Sequence, residues 1–161
     1  AGRFRSIVAA HLDVSAEDVS ACILGAHGDT MVIVPRLTTV GGVPLPELLP
    51  KQEIDKLVDH SVNSGAEIVS LLKTGSAFYA PGIAAAQMAK SIILDSKCIL
   101  PVCAYLNGEF GLSDIYLSVP AKIGADGVEK VLEFDLKPDE KVALDKSAQS
   151  VRELIDKLDL S

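Results

Sequence analysis

No run in the chain approaches the roughly 18 apolar residues that a membrane-spanning helix needs. The longest, Cys98 to Leu106 and Ile83 to Ala89, are too short. Basic residues are in deficit, 15 against 22 acidic ones, for a formal net charge of -7. A non-specific nucleic-acid binder needs the opposite sign, because phosphate neutralisation supplies most of that affinity. Neither a membrane nor a nucleic acid is therefore an expected partner. Cysteine is scarce, with Cys22, Cys98 and Cys103 forming an odd set without CxxC spacing. That excludes a disulfide framework and a zinc site, and implies reduced, buried thiols in a cytoplasmic protein. No basic segment followed by an apolar one opens the chain, so no secretory signal is visible. GxGxxG after a strand, GxxxxGK[ST], HExxH and GxSxG are all missing too. The chain has no phosphate-cradling loop, zinc helix or hydrolase elbow of its own.

What is present is a core. The 161 residues are 48% hydrophobic and 23% charged, which suits one ordinary globular domain and excludes disorder. The chain opens at Ala1 on an uncapped amphipathic segment, which suggests a piece of something longer. Arg3 to Leu12 places Phe4, Ile7 and Val8 on one helical stripe. Val19 to Leu24 reads as a short buried strand, and Met31 to Pro35 and Leu37 to Val40 are strand-like. Gly41-Gly42 is a turn signal before Val43-Pro44-Leu45, hence a twisted hairpin.

From Gln52 to Leu72, Ile54, Leu57, Val58, Ser61, Val62, Gly65, Ile68, Val69 and Leu72 recur at helical spacing, with a kink conceivable at Asn63-Ser64-Gly65. Pro81 marks the start of a second helix reaching about Asp95. This helix is apolar nearly all round, so a central position is expected. Cys98 to Leu106, Ile115 to Ile123 and Val128 to Phe134 read as three antiparallel strands, and Cys98 and Cys103 as buried structural thiols within them. From Pro138 onward Leu144, Ala148, Val151, Ile155 and Leu158 mark a terminal helix. Helix runs and strand runs are segregated, so the expected fold class is α+β, antiparallel strands packed on long helices.

The one dense polar constellation is His27-Gly28-Asp29 within Gly25-Ala-His-Gly-Asp-Thr30. An unperturbed histidine titrates near pH ~6.5 and can give or take a proton around neutrality. The same tripeptide also suits a turn histidine satisfied by backbone, and no second histidine or cysteine lies at metal-ligand spacing. Arg3 and Arg5 bracket Phe4. A guanidinium can grip a carboxylate bidentately, yet two solvated arginines on a helix face would look the same. His11 and His60 fall inside helical segments and carry no functional assignment.

Taken together, these segments match a known pattern. Gly25-Ala-His-Gly-Asp-Thr-Met-Val32 resembles the active-site histidine motif of the lactate/malate dehydrogenase family. Ala1-Gly-Arg-Phe-Arg-Ser6 resembles the end of that family's Leu-Asp-x-x-Arg-Phe-Arg segment, and Thr74-Gly-Ser-Ala-Phe-Tyr-Ala-Pro-Gly82 its malate-type substrate loop. The resemblance runs end to end and is closest to the bacterial, lactate-dehydrogenase-like malate branch.

The resemblance implies that residues 1–161 form the C-terminal, substrate-binding and catalytic domain, with malate and oxaloacetate as substrates. His27 would exchange a proton with the substrate hydroxyl, Arg3 would hold its carboxylate, and Ser76, Ala77 and Pro81 would line the pocket. Asp29 would serve loop structure. NAD would be bound mainly by an N-terminal Rossmann domain absent from this chain. That missing half would also carry the aspartate that orients the histidine and the mobile loop whose arginine or glutamine sorts malate from lactate. Alone, the chain is expected to be inactive; whole, a homodimer or homotetramer. A lactate or other 2-hydroxyacid dehydrogenase is the alternative of the same class, and a non-catalytic oligomerisation module the rival of another.

Overall fold

The computed structural model describes residues 1–74 and 78–158. Along the chain come α1 (Gly2–Leu12), β1 (Val19–Ser20), β2 (Ile23–Leu24), β3 (Val32–Ile33), β4 (Thr39–Val40) and β5 (Val43–Pro44). They are followed by α2 (Leu45–Leu48), α3 (Lys51–Leu72), α4 (Tyr79–Ile93), β6 (Cys98–Asn107), β7 (Ser113–Gly124), β8 (Gly127–Val131) and α5 (Pro138–Ile155). Two compact units emerge, one of residues 1–22 and 33–89, the other of 23–32 and 90–161.

In the first unit, α1 buries Phe4 and Val8 completely, one turn apart on the stripe that their spacing predicts. It ends where Asp13 takes a left-handed conformation and returns its N–H to the Ala9 carbonyl. Arg5 then ties helix to loop, donating from Nε (3.2 Å) and Nη2 (2.6 Å) to the Ala16 carbonyl. α3 packs against α1, buries Ile54, Leu57, Ser61 and Ser64, and runs through Asn63-Ser64-Gly65 as one continuous helix. His11 of α1 pairs with Glu53 of α3 at 3.0 Å, and His60 with Glu67 at 3.4 Å, so both histidines have partners on helix surfaces. The stripe's expected far end, Val69 and Leu72, is exposed.

A small antiparallel sheet of order β1-β4-β5 completes this unit. Val40 pairs with Val43, leaving Gly41 and Gly42 (φ 57° and 86°) as a two-residue loop that demands positive φ twice. The expected single strand over Val19 to Leu24 is instead two, β1 and β2, which belong to different sheets. The break at Ala21-Cys22 has a cause. The Cys22 N–H is held by the Oγ1 of fully buried Thr38 (3.3 Å), and its carbonyl accepts from Val34 (2.9 Å).

The second unit is built on the antiparallel sheet β6-β7-β8. β7 alternates strictly, burying Ile115, Leu117, Val119, Ala121 and Ile123. β6 buries Val102, Ala104 and Leu106 on the same face, while Ile99, Cys103 and Tyr105 point to the other and are exposed. Cys98 and Cys103 are thus exposed rather than buried, which corrects the expectation for both. The period of two decides the matter for Cys103, and Cys98 opens its strand at the margin of the sheet. Residual burial still pushes the Cys103 thiol above its ordinary value. The third strand stops at Val131, short of the expected Phe134.

α5 starts at Pro138, is anchored by the Lys137 N–H donating to Glu140 Oε2 (2.8 Å), and buries Leu144, Ser147 and Ala148. Elsewhere in this unit Lys97 bridges Asp95 and Glu129, Lys122 pairs with Glu129 at 2.8 Å, and Asp95 accepts the Ala125 N–H at 2.7 Å. Asp95 and Glu129 are consequently held below the usual carboxylate range, chiefly by Lys97 and Lys122 respectively. The Lys97 ammonium is held well above its own, first by Asp95 and then by Glu129.

The largest departure from expectation is α4. It begins two residues before Pro81, which costs nothing because the N–H groups of a first helical turn have no intrahelical partner anyway. It is not central. Only Ser91 is buried, its Oγ donating to the Ile123 carbonyl (2.8 Å), while Ile83, Ile92 and Ile93 are exposed. All-round apolarity states that a helix needs cover without stating what supplies it. No helix among the described residues is long and apolar enough to cross a membrane.

Candidate functional site

His27 sits in the second unit, on the loop that leaves β2, and its side chain is exposed. The loop is braced on both sides of it. Before it, Gly25 exchanges both backbone hydrogen bonds with Ser118 of β7 (2.9 and 3.0 Å), adding one more rung to the sheet. The next residue, Ala26, donates its N–H to Ser147 Oγ of α5 at 2.7 Å. After it, Thr30 Oγ1 lies 3.2 Å from Ser150 Oγ and accepts from Ser147 Oγ at 3.4 Å. The Met31 N–H closes the turn onto the Gly28 carbonyl at 3.0 Å, placing Asp29 at its exposed crest in keeping with a loop-forming role.

The glycine before this turn is obligatory. Gly25 has φ +87°, and a Cβ there would stand 2.5 Å from Ser147 Oγ. Backbone that is pinned by a sheet and a helix while its imidazole stays unpartnered among the described residues is suited to holding a proton donor and acceptor in place.

Ser147 and Ser150 escaped notice in the sequence. Their signal was there to read, since Ser147 is a small polar residue beside Ala148 on the apolar stripe of α5, one helical turn from Ser150.

Arg3 lies in the first unit on α1, half-buried. The structure separates the two arginines that the sequence left equivalent. Arg5 spends its guanidinium on the Ala16 carbonyl, whereas the Arg3 Nε is buried without a hydrogen-bond partner. A buried, unsatisfied guanidinium N–H is costly and calls for an acceptor. Across from it on α3, Gly65 approaches so closely that an added Cβ would stand 2.8 Å from Arg3 Nη1.

Pro81, also in the first unit, is exposed in the first turn of α4, and Ser76 and Ala77 lie outside the described residues. Among the described residues no strand enters a helix through a glycine-rich turn.

The structure therefore offers an α+β fold with an arginine on its first helix and a histidine on a sheet-anchored loop. Residues 1–159 match the family described as lactate/malate dehydrogenase, alpha/beta C-terminal domain, and the chain belongs to that family. It is 51% identical over 160 residues to a malate dehydrogenase of Methanosarcina mazei, covering 99% of this chain and 52% of that protein. The solved malate dehydrogenase of Salinibacter ruber superposes with a TM-score of 0.93 at 52% identity, over 96% of this chain and 50% of the other. A lactate dehydrogenase of Eimeria maxima, solved with NADH and oxamate, superposes at 0.92 and 38% identity, over 96% of this chain and 48% of the other. The chain thus spans about half the length of the relatives that it matches.

Proposed function

We propose that residues 1–161 are the substrate-binding and catalytic domain of an NAD-dependent malate dehydrogenase, which interconverts (S)-malate and oxaloacetate. One observation carries the reading. The family's histidine motif falls on a loop pinned by β7 and α5, with its imidazole left free among the described residues.

His27 takes the proton of the substrate's 2-hydroxyl on a ring nitrogen and returns it in the reverse direction. Arg3 holds a substrate carboxylate through paired N–H donors, supplying the acceptor that its Nε lacks. On this reading Ser76, Ala77 and Pro81 contribute to substrate recognition. A nicotinamide cofactor would be held by a Rossmann domain outside these residues and would supply the hydride acceptor for the carbon bearing the hydroxyl. On this reading the isolated chain does not turn over, and the whole protein is a homodimer or homotetramer.

The reading of malate over lactate is supported by the relatives at 51% and 52% identity, which are malate dehydrogenases, whereas two lactate dehydrogenases stand at 38% and 40%. Lactate remains the second reading because the fold matches both at TM-scores of 0.93 and 0.92. His27→Asn in the full-length protein tests the assignment. Turnover with malate and NAD should fall by about 10²–10⁴-fold, the usual contribution of a positioned acid-base group, with oligomeric state unchanged. Unchanged turnover would leave a non-catalytic assembly module as the better description.

A further inference from the structure

Gly65 has no conformational reason to be glycine. It lies within α3 with ordinary helical φ, in a position where alanine is the better helix former. What does require it is proximity. Its missing Cβ would stand 2.8 Å from Arg3 Nη1, 3.8 Å from Cζ and 4.0 Å from Nη2, so the guanidinium rests against the α3 backbone where only hydrogen fits. The obstructing atom belongs to the far end of a flexible side chain, so a methyl group there displaces the guanidinium and leaves the helix backbone in place.

We infer that Gly65 is a positioning residue, setting the depth at which the Arg3 guanidinium sits and hence the geometry of its bidentate grip on a substrate carboxylate. The inference rests on the reading of Arg3 as the carboxylate-binding residue. Ordinary contact between a methyl carbon and a nitrogen needs about 3.4 Å or more, so the guanidinium must move by at least about 0.6 Å, on the scale at which misplacement costs an order of magnitude or more.

The test is a double-mutant cycle in the full-length protein, with KM for malate, kcat and melting temperature read for each variant. Gly65→Ala should raise KM about tenfold, lower kcat by a smaller factor, and leave the melting temperature unchanged or higher. Arg3→Lys, which has no Nη1, should raise KM on its own, and adding Gly65→Ala to it should change KM less than twofold. A lowered melting temperature in Gly65→Ala, or KM effects that multiply in the double variant, would show a merely structural glycine and overturn the inference. So would an unchanged KM in Gly65→Ala while Arg3→Lys raises it, an outcome that leaves the role of Arg3 standing. An unchanged KM in Arg3→Lys would remove the carboxylate reading itself, and the role of Gly65 with it.

Discussion

Replacing Gly25 by alanine attacks the loop of His27 at its root, and the cost can be worked from the structure. Holding an alanine at φ +87° costs about 1–2 kcal/mol, because Cβ crowds the backbone in that region. The new Cβ also meets Ser147 Oγ at 2.5 Å and the Thr30 carbonyl at 3.3 Å, and Ser147 is fully buried on α5 with little room to yield. If its hydroxyl rotates away, the Ala26 N–H loses an acceptor, about 1 kcal/mol more. Gly25→Ala should therefore destabilise by about 2–4 kcal/mol.

Ser147→Ala alone should cost about 1 kcal/mol, for the lost hydrogen bond. In the double variant the nearest obstacle becomes the Cβ of residue 147 at 3.1 Å, which is tight and tolerable. The pair should then cost about 1 kcal/mol less than the sum of the singles. Urea unfolding followed by far-ultraviolet circular dichroism gives the values, since the chain has no tryptophan to report by fluorescence. A Gly25→Ala variant within about 0.5 kcal/mol of the parent, or full additivity in the pair, would refute the steric argument.

Three other expectations follow from the structure. Glu129, held below its ordinary range by Lys122 and Lys97, contributes stability that is fully present above its unfolded value and lost as pH falls through the folded one. The stability gap between the parent and Glu129→Gln should accordingly be present at neutral pH and shrink below about pH 4.3, as read by urea titrations at several pH values; a pH-independent gap would contradict the ion pairing. Cys103 is exposed enough to react but has a raised thiol pKa, so its alkylation rate, followed by mass spectrometry, should rise to its plateau at a higher pH than for a free cysteine. The uncovered apolar side chains of α4 should drive the isolated chain to self-associate despite its charge of -7, and Ile83→Lys with Ile93→Glu should suppress this; a monomer at high concentration in sedimentation velocity would count against it.

What the sequence determined by itself is what local periodicity and local motif can carry. The stripe of Phe4 and Val8, the alternation through β7, the Gly41-Gly42 hairpin and the terminal helix each need only neighbours along the chain, and each was legible. The family was legible too, because its histidine and arginine segments are contiguous words.

The tertiary structure decided whatever depends on residues distant in sequence. It chose between Arg3 and Arg5 by giving one of them a carbonyl on another segment. Through a buried threonine it split Val19 to Leu24 into strands of two sheets, and it turned Cys103 outward by its place in the alternation of β6. It left α4 on the surface although its composition asked for a core. And it set Ser147 under Gly25 and Gly65 against Arg3, two close approaches between elements far apart in the chain. The physical reason is common to them all. Burial, steric exclusion and hydrogen-bond satisfaction are properties of which atoms meet in space, and a sequence pattern records only which face of an element requires a partner, not which partner fills it.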